Sequence, residues 1–313
     1  MYLLVARQLF VMFIISVAGF AVTKAFRFGN LEQQFVSKML VLFVNPCLII
    51  SRFDLDFEIE KFKSFLIVIL LSVVVHFVMI AIALVFARSK DEEEKKLDCI
   101  DKIAFVFTNC AFIGIPLIDG ALGHEAVFYL LGFVATFNIF LWTFGYLMFA
   151  GKIHFKKLIL NPNIIALVIG LAIFCLPVRL PSIIAVPLNL IGDMNTCLAM
   201  ILLGMLFANF KKKENVSYTI RIIKFSLIKH VVLTIAVFII VFAAYKLFAN
   251  VKDMRLICYV VYIAALCPVG MSVSSFAVIF NKDESYAALL CLVTSAISIV
   301  MLPLCIGIAE KIF

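Results

Sequence analysis

Ten stretches of about twenty apolar residues follow one another along the chain, separated by short charged or Pro/Asn-rich punctuation. They run over approximately 3–23, 35–53, 62–87, 103–118, 126–150, 163–178, 183–208, 219–248, 256–280 and 285–309. A helix of roughly 20 apolar residues matches the hydrocarbon thickness of a bilayer. An open sheet leaves its edge amides unpaired in lipid, so every span is expected to be helical. The composition agrees: 65% of the 313 residues are hydrophobic, 33 are Phe and only 15% are charged. The fold class expected is an all-α integral membrane protein of ten transmembrane helices. The first span starts almost at Met1 with Arg7 as its only early charge and has no small-residue cleavage site, so it is read as a retained helix.

The nine cysteines lie mostly inside spans with no C-x-x-C pair, which indicates neither a disulfide framework nor a metal site. The net charge of +8 is informative through its distribution. With ten spans, one side collects Lys24, Arg27, Lys38, Arg88, Lys90, Lys95, Lys96, Lys102, Lys152, Lys156, Lys157, Lys211, Lys212, Lys213, Arg221, Lys224, Lys229 and Lys282. The other keeps half as many positive residues. The richer side is expected to be cytoplasmic, placing both termini outside the cytoplasm in a multi-pass protein of the cytoplasmic membrane, with the lipid bilayer and no nucleic acid as its surroundings. The one sizeable hydrophilic segment, Ala87 to Lys102, reads as a solvated cytoplasmic turn or helix extension, with a regulatory surface as the alternative.

The two halves resemble each other. Val17-Ala-Gly19-Phe-Ala21 matches Val168-Ile-Gly170-Leu-Ala172, Asn45-Pro-Cys47-Leu48 matches Asn195-Thr-Cys197-Leu198, and the fourth and ninth spans are interrupted at Pro116 and Pro268. All three offsets are near 150 residues. Residues 1–150 and 151–313 therefore read as two five-helix repeats, and an odd number of spans per repeat inverts the second in the membrane.

The interruptions carry the chemistry. Proline removes an amide donor and clashes with the carbonyl four residues earlier, so the stretches FVFTNCAFIGIPLIDG and ALCPVGMSVSS are expected to open within the membrane. Freed backbone groups survive there only under protein or against water. Half-helix N-termini meeting at the two breaks present unpaired N–H groups with partial positive charge and suit an anion. The charged residue nearest in sequence to either proline is Asp119, so the candidate substrate residues are neutral: Asn109, Gly114, Pro116, Asn138, Asn45 with its match Asn195, and Pro268, Gly270 and Ser272, with Ser274 and Ser275 beyond. Each asparagine or serine has an alternative role as an interhelical hydrogen bond. His76, mid-way along the third span, is a candidate for proton coupling or a neutral hydrogen-bonded ring. Lys229, one to two turns inside the eighth span, is expected to snorkel to the cytoplasmic surface, with a cation near an anion path as the alternative reading. No phosphate-binding loop, zinc-protease helix, nucleophile elbow or dinucleotide fingerprint is present, so no enzyme activity and no cofactor are expected.

The segment from Phe107 to Gly145 resembles the N-x-x-F-I-G-x-P-L region of the auxin efflux carrier family, and the stretches beginning NPNIIALVIG and CPVGMSVSS resemble its sixth, ninth and tenth spans. The chain lacks the long insert that many plant members carry between spans 5 and 6, and so resembles a compact, prokaryotic-type member. The resemblance implies a fold similar to bile-acid sodium symporters. In it, spans 1, 2, 6 and 7 form a scaffold, spans 3–5 and 8–10 a moving transport domain, and spans 4 and 9 cross at their prolines, here Pro116 and Pro268. It also implies that Asn109 is the family's span-4 asparagine, that the substrate is an organic anion such as auxin, malate or malonate, that transport is elevator-like, and that the protein is a homodimer. The expected function is efflux of a small organic anion, with a sodium- or proton-coupled symporter or a non-transporting metabolite sensor as alternatives. His76 has no counterpart in the family pattern.

Overall fold

The computed structural model describes residues 2–89, 91–151, 159–176, 179–209 and 216–312. Lys90, Lys152, Lys156, Lys157, Lys211, Lys212 and Lys213, counted above in the charge asymmetry, lie outside the described residues.

The described residues are helical almost throughout. The elements are α1 (Tyr2–Phe26), α2 (Asn30–Met39), α3 (Asn45–Arg52), α4 (Ile59–Phe86), α5 (Glu92–Val106), α6 (Ile115–Leu122), α7 (His124–Phe140) and α8 (Tyr146–Ala150). They continue with α9 (Pro162–Cys175), α10 (Ser182–Asn209), α11 (Val216–Ile228), α12 (Thr234–Leu247), α13 (Met254–Leu266), α14 (Met271–Ile279) and α15 (Glu284–Glu310). Single π-helical turns at Leu40–Val44, Cys110–Gly114, Leu141–Gly145 and Lys229–Leu233 join α2 to α3, lead into α6, join α7 to α8 and join α11 to α12. Such turns widen a helix by one residue and frequently mark functional positions.

Seven of the continuous helical stretches among the described residues are long and apolar enough to cross a membrane: Tyr2–Phe26, Asn30–Arg52, Ile59–Phe86, His124–Ala150, Ser182–Asn209, Ile220–Leu247 and Glu284–Glu310. Three shorter apolar helices, Cys110–Leu122, Pro162–Cys175 and Met254–Leu266, complete the set. The first and third are short because the chain breaks where the sequence carries Asn109 and Pro268. The solvent around the bundle is legible on α4, which is apolar on all sides. Phe65, Val68, Val75, Met79 and Ala83 are buried, whereas Leu66, Leu70, Val74 and Phe77 are exposed. An exposed stripe of that kind is stable only against hydrocarbon.

Close helix packing rests on small residues. α1 packs along α10 and α9 along α3. A Cβ on Gly204 would sit 2.2 Å from the carbonyl oxygen of Ser16, so that contact admits only glycine. The Asn45 and Asn195 matched by sequence meet here: Asn195 Nδ2 donates to Asn45 Oδ1 at 2.5 Å, both side chains buried. The centre of the other half of the molecule is α13, buried from Ile257 to Cys267, against α7, buried from Ala126 to Asn138.

The hydrophilic segment 87–102 is less solvated than its charge suggests. α5 extends through it, and Asp98 and Asp101 are buried. Arg221, on α11, collects both: Nη2 lies 2.8 Å from Asp98 Oδ1 and 2.6 Å from Asp101 Oδ2, and Nη1 donates to Ser89 Oγ at 2.8 Å. Tyr286 of α15 donates to Asp101 Oδ1 at 2.7 Å. Three helices distant in sequence are thereby fastened at one end.

Candidate functional site

The chain opens at Phe107–Asn109, after α5, and at Cys267–Gly270, after α13, and the two openings face one another. Thr108 and Val269 form an isolated antiparallel bridge. Asn109 N donates to Pro268 O at 2.7 Å and Gly270 N donates to Phe107 O at 2.9 Å. The bridge is further tied to its surroundings, since Thr108 Oγ1 donates to Ala264 O at 2.8 Å and Val269 N to Thr294 Oγ1 at 3.0 Å. The amides of Asn109, Val269 and Gly270, released by helix breaking, thus find partners without water or lipid.

The position of the first break corrects the sequence reading. Pro268 lies inside its break, but Pro116 does not lie at the crossing. It is the second residue of α6, beyond the π turn Cys110–Gly114, and its carbonyl accepts from Gln8 Nε2 at 3.1 Å, on α1. The π turn immediately before Pro116 accommodates its missing amide, so the helix continues through it from Cys110 to Leu122. What opens the chain at Asn109 is diversion of its amide to Pro268 O, which no proline in the fourth span announces. By position in the bridge, the counterpart of Asn109 is Gly270, and that of Pro268 is Phe107.

Beyond the bridge, the segment Cys110–Leu122 and α14 start at the crossing. Their first N–H groups have no intrahelical acceptor. Asn109 is buried, its carbonyl accepts from Ile113 N at 3.0 Å and Gly114 N at 3.1 Å, and its carboxamide has no hydrogen-bond partner among the described residues. Ser272 Oγ, in the first turn of α14, is likewise buried without a partner among them. Two polar side chains with unfilled hydrogen-bond capacity therefore lie at the starts of two half-helices whose N-terminal dipole ends favour negative charge.

The other sequence candidates divide. Gly114 packs beside Cys267 at the crossing, where a Cβ would meet its Sγ at 3.5 Å. Asn138 spends its Nδ2 on Val134 O, 2.8 Å away in its own helix, and Ser275 does the same with Met271 O at 3.1 Å. Asn45 is engaged with Asn195, away from the bridge. His76 is fully buried among Phe133, Phe137 and Phe140, stacked on Phe140 at 5.1 Å between ring centroids. Its Nδ1 donates to Ser72 O at 2.7 Å and its Nε2 has no partner among the described residues. His230 repeats this arrangement, with Nδ1 donating to Ser226 O at 2.8 Å and Nε2 accepting from Ser298 Oγ at 3.0 Å. The pairs Ser72/His76 and Ser226/His230 share the spacing S-x-x-x-H at an offset of 154 residues, a match between the halves that inspection for glycine and proline passes over.

Lys229 is the residue that sequence reasoning misplaced. It does not snorkel. The side chain is 2% exposed, and Nζ donates to Ala104 O at 2.8 Å and to Phe105 O at 3.1 Å, at the last turn of α5 before the break. A lysine inside an apolar span was the signal, but the separation of 125 positions between it and Ala104 hid the partner. Farther out, Arg52 of α3 joins Asp193 of α10 at 2.9 Å and approaches Asp119 of α6 at 3.7 Å. Asp119 is also paired with His124 at 2.6 Å.

A family model described as membrane transport protein matches residues 4–154 and 150–306, nearly the whole chain. The chain belongs to this family. It is the family of the auxin efflux carriers, and its members are transporters, in agreement with the resemblance seen around Asn109. No curated protein matches the chain.

Proposed function

We propose that this membrane transporter carries a small organic anion, of the auxin or dicarboxylate kind, out of the cell across the cytoplasmic membrane, and binds it at the crossing. The observation that supports this most is the convergence of two half-helix N-termini beside the unpartnered Asn109 carboxamide and Ser272 hydroxyl. There is no Asp or Glu between Asp101 and Asp119 or between Asp253 and Asp283, so nothing acidic within these two interrupted spans opposes an anion. Export fits such a site. An anion leaving a negative interior gains about 2.3 kcal/mol per charge per 100 mV.

The architecture proposed is ten transmembrane helices in two inverted repeats, 1–150 and 151–313, with both termini outside the cytoplasm. Reciprocal features support the repeat: the bridge exchanges equivalent hydrogen bonds, Asn45 pairs with Asn195, and the Ser/His pairs recur. The scaffold comprises α1, α2–α3, α9 and α10, and carries the homodimer contact; the remaining helices move as an elevator. The crossing lies in the mobile unit. Gln8–Pro116 and Arg52–Asp119 then join scaffold to mobile unit and must part in each cycle.

Counterflow of labelled mono- and dicarboxylates in proteoliposomes tests the transport reading, and ligand binding without counterflow would replace it with a sensor. Asn109→Ala is expected to weaken binding of the transported anion about tenfold, the equivalent of about 1.4 kcal/mol, with unfolding temperature unchanged. Unchanged affinity would remove Asn109 from the site. The elevator is tested separately at the Gln8 contact, where a Cβ on Gly120 would come within 2.2 Å of the Gln8 side chain. In a background without other reactive cysteines, oxidation of the pair Gln8→Cys and Gly120→Cys should stop counterflow and reduction should restore it. Full activity of the cross-linked protein would exclude relative motion at this contact.

A further inference from the structure

We infer that Lys229 is a built-in cation of the crossing, its ammonium filling a seat that a small dissolved cation would otherwise occupy; the inference rests on reading the crossing as an ion-binding site.

The seat is made by the break itself. In an unbroken helix the carbonyls of Ala104 and Phe105 would accept from the amides of Thr108 and Asn109. Asn109 N is turned instead to Pro268 O, and Thr108 N donates to no carbonyl among the described residues. Two carbonyls at the negative end of a half-helix are thus left open in the membrane interior, the arrangement that coordinates sodium in transporters with discontinuous helices. Here both are filled by one Nζ, at 2.8 and 3.1 Å. The other half-helix ends differently, since Ala264 O of α13 is capped by the neutral Thr108 hydroxyl. The S-x-x-x-H match places Val75 at the position corresponding to Lys229, so the charge exists in one half only.

The cation has no fixed counter-charge. Lys229 forms no ion pair with any described residue and is all but closed to solvent. An unpaired buried cation is costly unless dipoles or a bound anion balance it. Carbonyl dipoles supply part of that balance, and an anion held at the adjoining half-helix N-termini supplies the rest. The charge that a symporter draws from solution is thereby carried by the protein, and neither sodium nor another small cation is needed to complete the site. A π turn begins at Lys229 and joins α11 to α12.

The test compares cations within one protein and needs no knowledge of the substrate. Unfolding temperatures of the full chain in detergent are measured in sodium, lithium, methylammonium and choline chloride at equal ionic strength. The natural protein should vary by no more than about 1 °C across the four. Lys229→Ala should be less stable in choline and rise by about 3–6 °C in saturating sodium or methylammonium. Lys229→Gln, which restores a neutral donor, should not recover the stability of the natural protein in choline. The inference is overturned if Lys229→Ala is insensitive to all the cations, if the natural protein gains as much from sodium as the variant, or if Lys229→Gln behaves as the natural protein. Should Lys229→Ala be unrecoverable from choline, monodisperse protein obtained only in sodium or methylammonium supports the seat, and failure in every medium overturns it. Absence of anion counterflow would sink the transport reading without touching this result, and a flat cation response would sink the cation seat while leaving transport intact.

Discussion

Gly270→Val is expected to destroy the crossing, lowering stability by about 3–9 kcal/mol and abolishing counterflow. Gly270 has an ordinary backbone conformation, with φ −71° and ψ 144°, so its glycine is required by space and not by backbone freedom. A Cβ there would lie 2.8 Å from Thr108 O and 3.1 Å from Phe107 O. Both atoms belong to the opposing strand of the bridge and cannot rotate away. Overpacking of this kind costs about 1–3 kcal/mol, and separating the strands also strands the buried amides of Gly270 and Asn109, at about 1–3 kcal/mol for each unsatisfied group. Gly114→Ala is the control. The added methyl would meet Cys267 Sγ at 3.5 Å and Cys110 Cβ at 3.6 Å, ordinary contacts, in a helical conformation where alanine is preferred by up to about 1 kcal/mol. Thermal unfolding of the two variants should separate cleanly. A Gly270→Val protein as stable as the natural one would mean that the two openings are not held together by this bridge.

The contrast between Pro268 and Pro116 shows what a sequence of this kind discloses. Apolar length and the scarcity of charge specify helices in lipid, and the all-helical, membrane-spanning reading follows from them. A proline reports a break only where the helix around it does not absorb its missing amide. Pro268 does so. Pro116 follows a π turn that absorbs its missing amide without ending the helix, and the real opening at Asn109 is imposed by hydrogen bonds between residues 159 to 163 positions apart in the chain. Asn109 itself was legible, because an amide in an apolar run needs a reason to be there. Asn45 and Asn195 were legible as equivalents but not as partners, since sequence spacing carries no distance between helices. Lys229 and the Asp98/Asp101 pair failed for the same physical reason. Whether a charge snorkels, is solvated or is buried depends on what another helix offers it, and for these residues the offers come from Ala104, Phe105 and Arg221.

Arg221→Ala is the second variant with a large expected effect, a loss of about 3–5 kcal/mol of stability. The guanidinium is only 12% exposed and serves Asp98 and Asp101, whose side chains are 10% and 6% exposed, together with Ser89. Removing one partner of a buried ionic cluster leaves the others desolvated and uncompensated, which costs far more than the pair itself contributes. Two carboxylates would remain side by side, joined to Tyr286 alone on the α15 side. Arg221→Lys should recover only part of the loss, because one ammonium cannot reproduce the fork that reaches Asp101 through Nε at 2.9 Å and Asp98 through Nη2 at 2.8 Å. The decisive comparison is the triple variant Arg221→Met, Asp98→Asn, Asp101→Leu. If the cost of Arg221→Ala arises from stranded charge, this variant, which removes every charge of the Arg221–Asp98–Asp101 cluster, should regain most of the lost stability in thermal unfolding, since uncharged replacement of a buried ionic cluster is often neutral or better. If it is as unstable as Arg221→Ala, the cluster's hydrogen bonds, and not the stranded carboxylates, hold α5, α11 and α15 together at that end. In either case the fastening lies on the helix whose last turn holds Ala104 and Phe105, so loosening it should also shift the carbonyls that seat Lys229 and, on the proposed reading of the crossing, weaken anion binding at a site the mutation does not touch.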